Sequence, residues 1–203
     1  MDFLEVLKPT VEIRDRLYDS AKVFNRIVDG KYIEEYSKDE LVDKINAQFF
    51  IAKEEVDEFF TAKENNDIVE MYDGAIDTFY TVRFLIQLLN EYDKRYHKEY
   101  EPTCGYSLDD LQKLEMEGLD VLCEATELDL NILSEYADRV IENNMEKFTT
   151  SLEEFKTWES DYIPTSKEYD GKLYYFFTDE NSKVKKRNGF PKVEVRSLFN
   201  GVK

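Results

Sequence analysis

Six acidic residues form two clusters within one stretch of the chain, residues 53–77. The members are Glu54, Glu55 and Glu58 in the first cluster and Glu70, Asp73 and Asp77 in the second. A short polar segment, residues 63–67, separates the two clusters. If both flanks are helical, residues three apart share a face, and an antiparallel pair of helices brings the two clusters together. Such a pocket of carboxylates suits hard divalent cations.

Carboxylates that converge between two helices cannot all stay ionised unless a positive charge lies among them. Mg²⁺ provides such a charge, and proteins hold it through a few carboxylates together with waters and substrate phosphates. A bound ion of this kind activates a water that attacks phosphorus, so these residue types suit phosphoryl or nucleotidyl transfer. Gly74 lies inside the second cluster, although glycine costs a helix about 1 kcal/mol relative to Ala. We expect another group to approach the backbone closely there.

The alternative interpretation of the acids is a solvated, charged surface. The chain carries 45 Asp and Glu residues, and a string of the form E-E-x-x-E usually lies on an exposed helix face. The second cluster is the stronger argument for a site, because Asp73 and Asp77 lie within a strongly apolar segment. Burying a carboxylate there is costly unless the carboxylate is paired or bound to a metal.

The composition argues against several classes of partner. A formal net charge of −18 opposes binding to a phosphate backbone, so no nucleic-acid partner is expected. His97, Cys104 and Cys123 lack the spacing of zinc ligands, and both thiols are expected to be free. The start of the chain shows no signal-peptide pattern, and no apolar run reaches the roughly 18 residues that span a bilayer. We therefore expect a cytoplasmic protein without a membrane partner.

Apolar periodicity predicts four long helical segments that would position the acids. Their expected ranges are residues 10–28, 38–63, 68–93 and 107–148, the last with a break near residues 127–131. Residues 1–9 are expected to be a non-helical lead, and residues 94–106 a polar loop. The third segment is apolar nearly all round over residues 78–89, which favours the centre of a bundle or an oligomer interface.

Capping patterns mark the start of the two helices that carry the acids. Ser37 and Glu40 have the spacing of a capping box, in which a hydroxyl and a Glu three residues later satisfy the first backbone amides. Asp67 and Glu70 repeat this spacing at the start of the next helix. The two acidic clusters are therefore expected on two successive helices.

The sequence changes character after residue 148. Residues 149–170 are predicted to form a short helix and a loop, with Pro164 in irregular chain. Strands are predicted at residues 172–177 and 183–187, joined by a turn at 179–182. The predicted fold class is therefore all-α. A helical core over residues 1–148 carries, within the same domain, a C-terminal arm with a small β-hairpin over residues 149–203.

The order of the acidic residues resembles a known signature. Glu54-Glu55-x-x-Glu58 followed by Glu70-x-x-Asp73 is similar to the motif of the all-α nucleoside triphosphate pyrophosphohydrolases. This superfamily includes MazG, the dimeric dUTPases, the dCTP pyrophosphatases and phosphoribosyl-ATP pyrophosphohydrolase. The extension to Asp77 looks most like the phosphoribosyl-ATP pyrophosphohydrolase-like branch, common in bacteria and phages. Residues 144–148, NMEKF, resemble the N-M-x-K motif of that branch, and residues 179–191, DENSKVKKRNGFP, resemble its tail.

The resemblance implies an activity and a role for each motif residue. Its members hydrolyse a nucleoside triphosphate between the α and β phosphates, giving a monophosphate and pyrophosphate. The implied ligands of Mg²⁺, for which Mn²⁺ could substitute, are Glu55, Glu58, Glu70 and Asp73, with Asp77 in support. The implied catalytic residues are Glu54, Glu55 and Glu58. Among them, Glu54 would orient or deprotonate the attacking water. The implied nucleotide contacts are Asn144, Lys147 and Lys186, and the implied assembly is a homodimer or homotetramer.

Two other functions stay open at this point. A bundle of this fold could bind a nucleotide or a protein partner without turnover, although all four implied ligands are present. Phosphoribosyl-ATP hydrolysis is less favoured, because those domains are usually shorter and lack this tail. Lys147 could instead serve only the dipole of a nearby helix C-terminus, and residues 185–187 only a solvated strand. Ser182 stands where the tail usually has Gly, and the preferred base and sugar are left open.

Overall fold

The computed structural model describes residues 3–96, 107–180, 183–191, 193 and 198–199. The helices are α1 (Phe3–Asp29), α2 (Lys38–Glu64), α3 (Ile68–Tyr96), α4 (Leu108–Glu124), α5 (Leu130–Met145) and α6 (Leu152–Phe155). The strands are β1 (Ile163–Tyr169), β2 (Lys172–Thr178) and β3 (Val184–Lys185). The described chain is thus mostly helical with a small C-terminal sheet, which confirms the predicted class at this level.

The capping pattern at Ser37 forms the start of α2. The Ser37 hydroxyl accepts a hydrogen bond from the Glu40 amide at 3.2 Å, and the Glu40 carboxylate accepts one from the Ser37 amide at 2.8 Å. At the other end, Asn66 adopts a positive φ of 55° and turns the chain. The Asp67 carboxylate then accepts from the amides of Val69 and Glu70 and begins α3. These local bonds fold α3 back on α2, so the acids of both helices lie near the same turn.

The contact between α2 and α3 is unusually close at Gly74. A Cβ built on Gly74 would lie 2.9 Å from the Cα of Phe59 and 3.0 Å from its backbone nitrogen. The expected close approach to this glycine is therefore made by the backbone of α2. Below it, the core is filled by large, fully buried side chains, among them Phe59, Phe79, Leu85 and Leu88.

The first helix is longer than predicted. It begins at Phe3, so the expected lead over residues 1–9 is wrong, and Pro9 lies inside the helix. The missing amide of Pro9 removes the one hydrogen bond that it would donate to the carbonyl of Glu5, and the helix continues on either side. At its far end, the predicted stop is confirmed: Gly30 has a φ of 70°, and its amide donates to the Arg26 carbonyl at 2.8 Å.

The predicted break in the fourth helical segment is confirmed. A short 3₁₀ turn at Ala125–Glu127 separates α4 from α5, and the Asp129 carboxylate caps α5 by accepting from the amides of Asn131 and Ile132. The segment that holds His97 and Cys104 lies outside the described residues, whereas Cys123 is a free, half-buried thiol. Among the described residues, no helix combines the length and the apolar character needed to cross a membrane.

The C-terminal sheet has three antiparallel strands in the order β1-β2-β3. The segment predicted as a loop around Pro164 is β1, which pairs with β2 along its whole length, so that prediction is wrong. Pro164 is tolerated because β1 is an edge strand, where a missing amide need not break a ladder. The predicted strand pair β2–β3 is present, although β3 spans only Val184–Lys185. Asn181 and Ser182 of its turn lie outside the described residues.

The sheet and the following tail pack against the ends of α1 and α5. Phe176 of β2 is fully buried and clusters with Ile27 and Phe148. The Arg187 guanidinium donates to the Glu146 carbonyl at 3.0 Å, and the Asn143 amide donates to the Pro191 carbonyl at 3.0 Å. These contacts fix the tail beside the C-terminal end of α5, where residues 144–147 lie.

Candidate functional site

Four of the six predicted acids of α2 and α3 line one groove. Glu54 and Glu58 on α2 are exposed and line an open groove of about 630 Å³, together with Glu70 and Asp73 on α3. Gly74 forms part of the groove wall at the point where the helices are closest. The remaining two predicted acids, Glu55 and Asp77, are half-buried.

The carboxylates of the two helices lie close enough to raise one another's pKa. Burial raises the pKa of Glu55 to about 8, and the negative charges of Asp77 and Glu58 add to this rise. The pKa of Glu58 is raised by burial first and then by the charges of Glu54, Asp73 and Glu70. The two acidic clusters, sixteen residues apart at Glu54 and Glu70, therefore form one electrostatic unit.

Two lysines, Lys147 and Lys186, act on the pKa of Asp77. Burial, with the charges of Asp73 and Glu58, raises the pKa of Asp77 to about 7, while Lys147 and Lys186 act in the opposite direction. Burial lowers the pKa of Lys147 to about 8, and the neighbouring ammonium of Lys186 lowers it further. The structure therefore brings Lys147 and Lys186, both proposed nucleotide contacts, to the acids.

Lys147 is held in place by two contacts. Its ammonium donates to the Asn144 side-chain oxygen at 2.6 Å and lies 5.4 Å from the centre of the Phe24 ring. Asn144 thus orients Lys147 from one turn earlier in the chain. Within residues 185–187 the roles differ, because Lys185 pairs with Asp179 at 2.9 Å and Arg187 binds the end of α5. Lys186 is the member of this run that acts on Asp77.

Two tyrosines belong to the site although no motif indicated them. Tyr136 of α5 is only 4% exposed, and its hydroxyl donates a hydrogen bond to the carboxylate of Asp73. Burial and the Asp73 carboxylate both raise the pKa of Tyr136, so it remains a donor at neutral pH. The hydroxyl of Tyr80 is buried without a hydrogen-bond partner among the described residues, and burial and Asp77 raise its pKa. In the sequence, both residues appear as ordinary members of apolar helix faces.

The donor atoms present are those that Mg²⁺ prefers. All six acids offer carboxylate oxygens, the hard ligands of this ion. Burial and then the neighbouring carboxylates raise the pKa of Glu55 and of Asp77, and a cation bound beside them would favour their ionised forms. Among the described residues, no three Asp, Glu, His or Cys side chains are arranged as a closed ligand set.

No protein-family model, curated protein or solved structure matches this chain. The similarity to the all-α pyrophosphohydrolase signature therefore depends on the motif residues alone. What the structure adds is that charges of these motifs, which are spread over residues 54–186, act on one another's pKa.

Proposed function

We propose that this protein is a Mg²⁺-dependent nucleoside triphosphate pyrophosphohydrolase with the helical core of the all-α type. The observation that carries the proposal is the opposition of charges at Asp77, where carboxylates of α2 and α3 meet Lys147 and Lys186. A cation held among the carboxylates would bind a polyphosphate from one side, and the neighbouring ammonium groups would bind it from the other.

The residues that would hold the ion are Glu55, Glu58, Glu70 and Asp73, with Asp77 behind them. When bound, Mg²⁺ or Mn²⁺ would neutralise the phosphate oxygens and favour a nucleophilic water. Tyr136 keeps the Asp73 carboxylate in one orientation by its hydrogen bond. The protonated fraction of Glu55 would fall when the ion is bound, because metal binding displaces protons from its ligands.

The remaining side chains act on the nucleotide and the water. Lys147 and Lys186 would bind phosphate oxygens as ammonium groups, and Asn144 keeps Lys147 directed to the site. Glu54 is exposed on the flank of the groove, where its carboxylate would orient the water and accept its proton. The water oxygen bonds to phosphorus, the α–β anhydride bond breaks, and the products are a nucleoside monophosphate and pyrophosphate.

The proposed setting follows from the same resemblance. The protein would act as a homodimer or homotetramer on a nucleoside triphosphate, in particular a deoxynucleotide, in the cytoplasm, or in the host cytoplasm if a phage encodes it. Its role would be to remove unwanted nucleotides or to adjust the nucleotide pool.

A pyrophosphate-release assay tests the activity. The protein is incubated with each NTP and dNTP, with and without Mg²⁺, and the products are separated to distinguish pyrophosphate from inorganic phosphate. We expect Mg²⁺-dependent pyrophosphate release that falls at least about 100-fold in Glu58→Gln and Asp73→Asn. Glu64→Gln, an exposed acid at the end of α2, is the matched control and should keep wild-type activity.

The alternatives are separated by the same experiment. Nucleotide binding without release of pyrophosphate from any substrate would favour a binding protein and overturn the enzymatic proposal. Equal release by wild type and by both variants would place the activity outside the acidic groove. Phosphoribosyl-ATP is included as a substrate, since preference for it over every NTP and dNTP would assign the histidine-pathway reaction.

A further inference from the structure

A second cavity lies between the C-terminal sheet and the first half of α2. This cleft has a volume of about 700 Å³, and none of the acidic-cluster or tail motifs contributes to it. Its walls come from the ends of α1, the start of α2 and one face of the sheet. The cleft therefore exists only because residues 163–178 form a sheet that packs on the helices.

The sheet wall is polar above an aromatic floor. Thr165 and Lys167 of β1 alternate along one face, and Phe176 and Thr178 of β2 lie on the same face. The hydroxyls of Thr165 and Thr178 are 2.8 Å apart and hydrogen-bonded to each other. Phe176 is fully buried below them. This wall presents hydrogen-bonding groups beside an apolar surface.

The helical wall is charged but mostly neutralised. Lys44 pairs with Asp29 at 2.7 Å, and the Tyr36 hydroxyl donates to the same carboxylate. Asp43 also lines the cleft, and among the described residues neither Asp43 nor Lys167 makes an ion pair. Asp43 thus offers the cleft a carboxylate acceptor and Lys167 an ammonium donor, and neither is held in an ion pair within the described part of the chain.

Helix α2 runs from this cleft to the first acidic cluster. On α2, Ala47 lines the cleft, and Ile51 and Glu55 follow on the same helix face at intervals of four residues. The eight residues from Ala47 to Glu55 correspond to about 12 Å along the helix axis. This separation is comparable with the length of a nucleoside monophosphate.

A series of packed aromatic rings lies between Lys147 and the cleft. Lys147, which acts on Asp77, lies over Phe24, and Phe24 contacts Phe148 with ring centres 5.0 Å apart. Phe148 in turn contacts Phe176 at 5.2 Å, the residue that forms the cleft floor. Val28, one turn after Phe24 on α1, also lines the cleft. The lysine that faces the acids is therefore separated from the cleft by three packed rings.

We propose that this cleft binds the base and sugar of the nucleotide whose phosphates lie at the acidic groove. This inference rests on the proposed function and assigns its specificity to the sheet. A nucleoside has no net charge, carries donors and acceptors on its edges and has flat apolar faces. Asp43 accepts from an amino or hydroxyl group of the nucleoside, and Lys167 donates to a carbonyl or ring nitrogen.

Two probes separate nucleoside binding from phosphate binding. The first is the non-hydrolysable α,β-methylene analogue of the nucleotide that releases most pyrophosphate, and the second is inorganic tripolyphosphate, which has no nucleoside. Both are titrated calorimetrically with Mg²⁺. We expect Asp43→Asn and Lys167→Ala each to raise the Kd of the analogue about tenfold, the loss of one charged hydrogen bond. The Kd of tripolyphosphate should stay within about twofold.

Matched controls define the outcome. Asp120→Asn on α4 and Lys172→Ala at the start of β2 remove exposed charges elsewhere and should change neither Kd. Asp73→Asn should weaken both probes, because it acts at the phosphate end. Thermal unfolding shows whether each variant folds.

The failure of the cleft assignment can be distinguished from the failure of the proposed function. Unchanged analogue binding in both cleft variants, or equal weakening of both probes, would overturn the assignment of the cleft even if the wild type releases pyrophosphate. Absence of pyrophosphate release from every nucleotide would instead overturn the proposed function.

Discussion

Gly74 of α3 packs directly on the backbone of Phe59 of α2, leaving no space for a Cβ atom between the two helices. The neighbours of these residues in sequence, Glu58 and Asp73, are acids of the proposed metal site. The distance between the helices and the distance between the two sets of carboxylates are therefore fixed by the same contact. A residue larger than glycine at position 74 would change both.

Gly74→Ala should destabilise the protein and weaken metal binding together. The added methyl group would lie 2.9 Å from Phe59 Cα, a backbone atom that cannot move aside alone. Overpacking costs about 1–3 kcal/mol and is offset by a helix-propensity gain of about 1 kcal/mol, which gives a net loss of up to about 2 kcal/mol. Thermal unfolding and Mn²⁺ titration, the latter well below the melting temperature, measure the two effects.

Gly118→Ala is the matched control for this substitution. Gly118 of α4 is also a buried helix glycine, and its added Cβ would lie 2.8 Å from the Cγ1 atom of Val82. Because that neighbour is a side chain on the far side of α3 from the acids, stability should fall without loss of Mn²⁺ affinity. Normal metal affinity in Gly74→Ala would show that the helix spacing does not set the carboxylate spacing.

Local sequence signals were sufficient to place the acids. The caps at Ser37 and Asp67 and the turn at Asn65–Asn66 involve residues within four positions of one another, so their patterns could be recognised without knowledge of the fold. The helical period then determined that Glu55 shares a face with Glu58, and Asp73 with Asp77. These features depend on neighbouring residues alone.

Contacts between distant residues could not be predicted in this way. β1 is mostly exposed on both faces and contains Pro164, so it lacks the apolar alternation by which strands are recognised. Tyr136 lies 63 residues from Asp73, and its position in an apolar stripe of α5 indicated only a core residue. The helical start before Pro9 was missed because proline usually begins or breaks a helix.

Tyr136→Phe should lower metal affinity with little effect on the fold. The substitution keeps the buried ring and removes only the hydroxyl that donates to the Asp73 carboxylate. Groups that orient a metal ligand typically contribute about 10–100-fold in affinity. Mn²⁺ titration of the nucleotide-free protein is the direct measurement, since it does not depend on turnover.

Tyr72→Phe provides the comparison for Tyr136. Tyr72 is also buried and adjoins Asp73 in sequence, but its hydroxyl accepts from the backbone amide of Asp129 at 2.7 Å. We expect this variant to lose stability and to keep its Mn²⁺ affinity. An unchanged Mn²⁺ affinity in Tyr136→Phe would assign Tyr136 a purely structural role.

The stability of the metal-free protein should fall as pH rises from about 5 to 8. The pKa of Glu55 is about 8 in the folded state and 4.5 as a free side chain, and that of Asp77 is about 7 against 3.8. Between these values the unfolded chain releases protons that the folded chain retains, so ionisation favours unfolding. The glutamine of Glu55→Gln cannot ionise, so this variant should lose less stability as pH rises. Asp77 is still present in it and maintains part of the decline.

Melting temperatures in chelator, measured at constant ionic strength over this pH range, check the pH dependence. Glu64→Gln should follow the wild type, because Glu64 is an exposed acid at the end of α2. Added Mg²⁺ should raise the melting temperature more at pH 8 than at pH 5, since metal binding requires ionised ligands. Identical profiles for wild type and Glu55→Gln would show that Glu55 ionises as freely in the folded protein as in the unfolded chain.

The KM for the nucleotide should rise above pH 8 because Lys147 loses its proton. Burial and the adjacent Lys186 ammonium lower the pKa of Lys147 to about 8, so the free protein holds a growing neutral fraction above that pH. Only the ammonium form attracts phosphate, which sets a limit of about tenfold in KM for each pH unit. Lys147→Arg remains charged throughout this range and should give a flat KM. Lys186→Ala should shift the rise in KM to higher pH by removing the neighbouring charge. Lys185→Ala should leave the rise in place, because the Lys185 ammonium pairs with Asp179. A wild-type rise in KM that persists in Lys147→Arg would assign the ionisation to another group.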